Sequence, residues 1–451
     1  MAPPSAPEGY WKRPKVADPA LCTNVPGLAD NLNGIQSAAK IDLTIGRSDA
    51  AYYLWKVAVS SEKGRNEVAK AGCTQRLLDL MVSGSSDAKF HAVGCLQSLI
   101  ALDETRDAVA SGARYIACLG DLLLGKTHDR IQPVAADILH TICLNPELSP
   151  RVAPVIPQLV ELCRRREPQW AGVEKACYHA ACCLQILAGS SAGLRKHMVR
   201  EGAVPALLNM LHRTPWESKC AAIGGLAMVG TEPGVAGRIA EEPGVVPEIV
   251  KLLSTPYDEA RISAAKCLSL LATSQDVCHA IMAEGGLPPL VALLKPVVSD
   301  SGQQKKKKKS KKGQQLPPIL QQGIVHGSAC LMHLSFIDEN RKLLAESGGL
   351  PTVVELLNDR NVEIFQNCSR ICVNLAMDAE IRPLLKDLHA PEHILLVHER
   401  LLISPKKQAP AGPKAEEAGQ AAEAAEAGEG AGPPASPKAD PSIEESRPGG
   451  K

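Results

Sequence analysis

The chain has 451 residues, of which 45% are hydrophobic and only 3% aromatic, and its formal net charge is +1. With 50 basic against 49 acidic residues, composition argues against a surface that binds nucleic acid or anionic membranes over its whole extent. No apolar run reaches the ~20 residues of a membrane span. Fifteen cysteines, in a chain whose start shows no secretory pattern, read as reduced thiols and point to a cytoplasmic protein.

Residues 1–25 are rich in proline and are predicted to be a disordered arm. From residue 26 to 403 the sequence repeats itself. A glycine followed by a Leu-rich run recurs as Gly72–Leu80, Gly202–Met210, Gly244–Leu252, Gly286–Leu294 and Gly349–Leu357, with a weaker copy at Gly112. Gly202, Gly244 and Gly286 are spaced by 42 residues. Gly349 follows only after 63, and the surplus is the Lys-rich block 297–317, an insertion into an otherwise regular array.

A second element follows each run, with small and apolar residues spaced for one face of a helix: Ala92, Cys95, Leu96 and Leu99, later Ala180, Cys183, Leu184 and Leu187, then Ala264, Cys267, Leu268 and Leu271. Glycine supplies a helix stop, and a proline in the next first turn restarts the chain as helix. The pattern predicts an all-α fold of about eight stacked units, each too small to bury its own apolar face. The tail, 404–451, is Pro, Ala, Glu and Gly with little to bury, and is predicted to be disordered.

The runs Gly286–Leu294 and Gly349–Leu357, together with Asn374-Leu375-Ala376, resemble the armadillo repeat over roughly residues 26–403. The resemblance implies a right-handed α-solenoid of roughly 42-residue units whose third helices line a concave protein-binding groove. In family members that hold extended peptides, as nuclear import receptors do, each third helix offers an Asn and, four residues earlier, a Trp. Aligned on Asn374, the Asn register here reads Lys56, Ser98, Thr141, Ile186, Met228, Leu270, His333 and Asn374. The Trp register includes Tyr52, Asp137, Cys182, Lys266 and Arg370, and no Trp. The ladder is lost, so an import-receptor role is not expected. Ile186, Met228 and Leu270 read either as an apolar stripe for an amphipathic helix or as core displaced by a register error.

Other motifs carry less. Gly120–Thr127 matches the phosphate-loop pattern letter for letter, but Leu122, Leu123 and Leu124 sit in the buried register of the repeat, where a loop would be needed. Cys177, His179, Cys182 and Cys183 lack the paired spacing of a zinc site, and the recurrence of Cys at 95, 183, 267 and 330 reads as packing. No cofactor, metal or catalytic residue is expected.

The flexible block Lys305, Lys306, Lys307, Lys308, Lys309, Ser310, Lys311 and Lys312 reads as an import signal, as a surface for an import receptor or acidic partner, or as a plain solvated loop. Ser310, Ser404 and Ser436 are candidate phosphorylation sites. Scarce aromatics argue against direct nucleic-acid binding, which relies on stacking. The expected function is a non-enzymatic adaptor or scaffold, cytoplasmic and also nuclear if the Lys block acts in import. By family resemblance its settings would be cytoskeletal or ciliary assembly, or chaperoning of a client protein.

Overall fold

The computed structural model describes residues 24–33, 46–125, 130–165, 171–213, 215–295 and 317–395. The predicted N-terminal arm up to residue 23, the Lys block with Ser310, and the tail with Ser404 and Ser436 lie outside the described residues. Every described residue up to Ile394 belongs to one compact unit.

Among the described residues there are helices and turns and no strands. Eight helices of 13 to 20 residues recur: α1 (Arg47–Ser60), α2 (Ser86–Leu99), α3 (Ile131–Cys143), α4 (Ala171–Ser190), α5 (Trp216–Val229), α6 (Asp258–Leu271), α7 (Pro318–Leu334) and α8 (Val362–Leu375). Two shorter elements separate each consecutive pair up to α7, for example Gln275–Ala283 and Leu287–Leu294 between α6 and α7, and three separate α7 from α8. Each long helix packs on the next, from α1 through to α8. The middle helices also pack in series, from Thr74–Ser83 to Val245–Leu252.

Local chemistry sets these boundaries. Ser61, Ser191 and Ser274 start the first short helix of their units by accepting N–H bonds from Gly64, Leu194 and Val277 at 3.0, 3.2 and 3.4 Å, each cap being worth about 1 kcal/mol. The glycine stop takes two forms. Gly244 itself adopts a left-handed φ of 77°, whereas in the Gly285-Gly286 pair the turn falls on Gly285, at 73°. Around residues 151–172, where the glycine signal is missing, a 3-10 segment Ser149–Val155 turns the chain instead, and Ile156–Arg164 has a proline in its first turn.

The recurring Leu and Cys positions form the core. Leu96, Leu184, Leu268 and Leu331 are fully buried, as are Cys95, Cys183 and Cys330, with Cys267 at 1% exposure. Gly120–Leu124, the body of the phosphate-loop match, is the C-terminal half of the helix Ala113–Leu124, with Leu122 and Leu123 buried. Gly120 lets this helix meet the next segment closely: a Cβ there would lie 2.6 Å from Val155 Cγ1. Helix Leu287–Leu294 packs on α7, so the elements flanking residues 296–316 are direct neighbours. Among the described residues no single helix is long and apolar enough to cross a membrane.

All fourteen described cysteines are unpaired, and eleven of them are buried. Burial pushes the Cys73 and Cys177 thiols up to about 11. Thiol titration of the native protein should therefore reveal few reactive groups, and denaturation without reductant should raise the count to nearly all fifteen. Several disulfides, or fast native labelling of the full set, would contradict this packing role.

Candidate functional site

The residues picked out by register lie along the series of long helices in graded environments. Tyr52, Ser98, Thr141, Ile186, Met228, Leu270 and His333 are half-buried, whereas Lys56 and Arg370 are exposed. On α1 the Lys56 ammonium lies 5.7 Å from the centre of the Tyr52 ring, which in turn packs against His91 of α2. Ser98 and Thr141 turn their hydroxyls back to the carbonyls of Gly94 and Asp137.

Ile186, Met228 and Leu270 each precede a fully packed neighbour: Leu187 and Val229 have no exposure and Leu271 has 2%. The three thus sit at the edge of the core and belong neither to its interior nor to an open apolar surface. The stripe is also not purely apolar. Lys266 Nζ of α6 lies 3.2 Å from Met228 Sδ of α5. Burial, with Arg195 as a further cause, lowers the Lys266 pKa.

Asn374 departs from expectation. It is buried, and its amide donates to Ser335 Oγ at 2.8 Å. That donor is used to tie α8 to the turn after α7, so it is not free to bind a peptide backbone. Asn367, two turns earlier on α8, donates to Ser328 Oγ of α7 at 3.2 Å.

Two features escaped the register reading. Trp216 and Tyr257, at the N-terminal ends of α5 and α6, stack face to face at 4.0 Å and 9° while remaining 40% and 46% exposed. They border a cleft of about 200 Å³ that also receives Tyr178, Cys182, Glu217 and Glu259. Burial pushes Tyr178 up to about 12. The spacing of Trp216 and Tyr257, one short of the 42-residue step, was the available signal in so aromatic-poor a chain.

The second feature is a polar cluster between α3 and α4. His179 turns away from the cysteines near it in sequence. Its Nδ1 lies 3.2 Å from His140 Nδ1 and 3.6 Å from Asp137 Oδ1. Cys177, by contrast, donates to the Leu162 carbonyl at 3.4 Å. Gln97 of α2 donates to Asp137 Oδ2 at 2.5 Å. Burial pushes His179 down to about 4, against the opposing pull of Asp137, and also lowers His140. Both rings are neutral at physiological pH, and the group Asp137, His140 and His179 has the donor set to hold a metal ion.

No known protein-family profile matches the chain, and no curated protein is similar to it in sequence. Solved structures are similar in fold. One, described as an engineered protein, aligns with a TM-score of 0.56 at 23% identity, covering 84% of this chain and 85% of that one. Another comes from work on a phosphorylation switch controlling the interaction between cadherin and beta-catenin. It aligns with a TM-score of 0.59 at 14% identity, covering 78% of this chain and 61% of that one. At these identities the likeness concerns the fold alone, and it is compatible with an armadillo-like helical repeat.

Another buried imidazole gives a pH test. Burial, with the Lys266 ammonium adding to it, pushes His326 of α7 down to about 4. The unfolded chain takes up a proton near pH 6.5 and the folded site does not, so stability is lost as pH falls from about 6.5 towards 4. In urea unfolding, His326→Gln should shrink the stability difference between pH 7.5 and pH 5 by about 1–2 kcal/mol. An unchanged difference would show that His326 is solvated in the folded state.

Proposed function

We propose that this chain is a non-enzymatic protein-binding adaptor or scaffold of armadillo type, with about eight helical units stacked as a right-handed solenoid. A partner segment, an amphipathic helix or an extended stretch, would lie along the face that α4, α5 and α6 share. The observation that carries this reading is the Trp216–Tyr257 stack, large aromatic surface left open on successive helices. Exposed Trp and Tyr are enriched at interface centres. Ile186, Met228 and Leu270 add half-buried aliphatic positions nearer the C-terminal ends of α4, α5 and α6. The fold likeness to a structure from work on cadherin and beta-catenin supports protein binding as the mode of action.

In this reading the protein works in the cytoplasm. The seven lysines around Ser310 favour a second role, as an import signal or as a site for an acidic partner, and phosphorylation of Ser310 would weaken either by adding about two negative charges.

The double substitution Met228→Ala and Leu270→Ala tests the face. Half-buried side chains contribute only part of the 2–5 kcal/mol that truncating a core Leu or Met costs. The melting midpoint should therefore fall by no more than about 4 °C. Cross-linking pull-down with quantitative mass spectrometry should show proteins bound by the wild type and reduced at least roughly tenfold with the double variant. A midpoint lowered by far more, or an unchanged set of bound proteins, would remove these residues from the interface.

A further inference from the structure

We propose that Asp137, His140 and His179 form a binding site for a divalent transition-metal ion of the zinc class, set between α3 and α4. Asp137 and His140 are three residues apart on α3 and so share one face of that helix. His179 comes from α4, which packs along α3. One ligand pair from a helix and a third ligand from its neighbour is an arrangement that helical proteins use to hold metals in their interiors.

The distances suit the ion. Zinc bound tetrahedrally at about 2.0–2.1 Å places neighbouring ligand atoms roughly 3.3 Å apart. Here the two Nδ1 atoms are 3.2 Å apart, and His179 Nδ1 is 3.6 Å from Asp137 Oδ1. All three donor atoms lie within 4.8 Å of one another, so the remaining edge closes by rotation of a side chain. When both rings carry their proton at Nε2, the three donor atoms all turn lone pairs inward and repel one another at such separations. A proton shared by the two imidazoles bridges one pair and leaves the carboxylate oxygen out, whereas a dication satisfies all three.

The surroundings fit the same ligand. Gln97 fixes Oδ2 of Asp137 and leaves Oδ1 to face the imidazoles, the outer support that metal-binding carboxylates commonly have. Asp137 and His140 are half-buried, which gives access from solvent and room for water as a fourth ligand. Two nitrogens and one oxygen select zinc, cobalt or nickel over calcium and magnesium, which take oxygen shells.

The site is independent of the partner-binding reading. It is tested on the full-length protein, stripped with chelator and titrated with Co²⁺ and Zn²⁺ by calorimetry, with visible and near-ultraviolet absorption following the cobalt. The expected result is one bound equivalent with no thiolate charge-transfer band. Asp137→Asn, which keeps the side-chain volume, and His179→Gln should each weaken binding at least roughly tenfold. Circular dichroism checks that the variants fold, and half-buried His140→Gln replaces His179→Gln if that variant does not. Absence of saturable binding, a thiolate band, or equal affinity in the variants would overturn the proposal and leave the three side chains as a hydrogen-bonded relay.

Discussion

Close approach between successive long helices is the constraint on which the rest of this structure depends. Each long helix has to lie against the next along its length, and small side chains make room for it. Gly94 of α2 is the plainest case: a Cβ there would come within 2.7–2.9 Å of three ring atoms of buried Trp55 on α1. Alanines and cysteines do the same further along, at Ala180, Cys183, Ala264, Cys267 and Cys330, all buried. Because such packing interdigitates without voids, one flank of each helix is filled by its predecessor and another by its successor. What remains is a strip of half-buried positions, from which most candidate functional residues on the long helices are drawn, while His179 and Asn374 are buried.

The same closeness makes the chemistry. Asp137, His140 and His179 meet because α3 and α4 touch, and Trp216 meets Tyr257 because α5 and α6 do. No single helix holds either feature. A serial array can thus carry different surfaces at different points: a polar cluster between one pair of helices, an aromatic ledge between a later pair, and half-buried aliphatic residues along α4, α5 and α6.

Much of the fold was legible in the sequence, because helix periodicity and small-residue spacing are local signals. The recurring cysteine before a leucine marks a buried seam at Cys183-Leu184, Cys267-Leu268 and Cys330-Leu331, as the spacing predicts. The site was less legible. Spacing names the residues that share a face but not the partner across the interface. His179 was therefore visible beside Cys177, Cys182 and Cys183, while its neighbours in space, His140 and Asp137, lie 39 and 42 residues earlier. Asn374 failed for a related reason. The register counts it as a groove position, yet Ser335 sits close enough to accept from its amide.

The most direct test of the packing constraint compares two glycines in the long helices. Gly94→Ala forces a methyl group into the Trp55 ring, and overpacking of this kind costs about 1–3 kcal/mol. Gly189→Ala, near the end of α4, meets nothing within 4 Å and gains helix propensity of up to about 1 kcal/mol. Urea unfolding of the two variants should give opposite signs, with Gly94→Ala destabilised and Gly189→Ala as stable as the wild type or more so. Equal stability in the two would contradict close helix-to-helix contact as the basis of the fold.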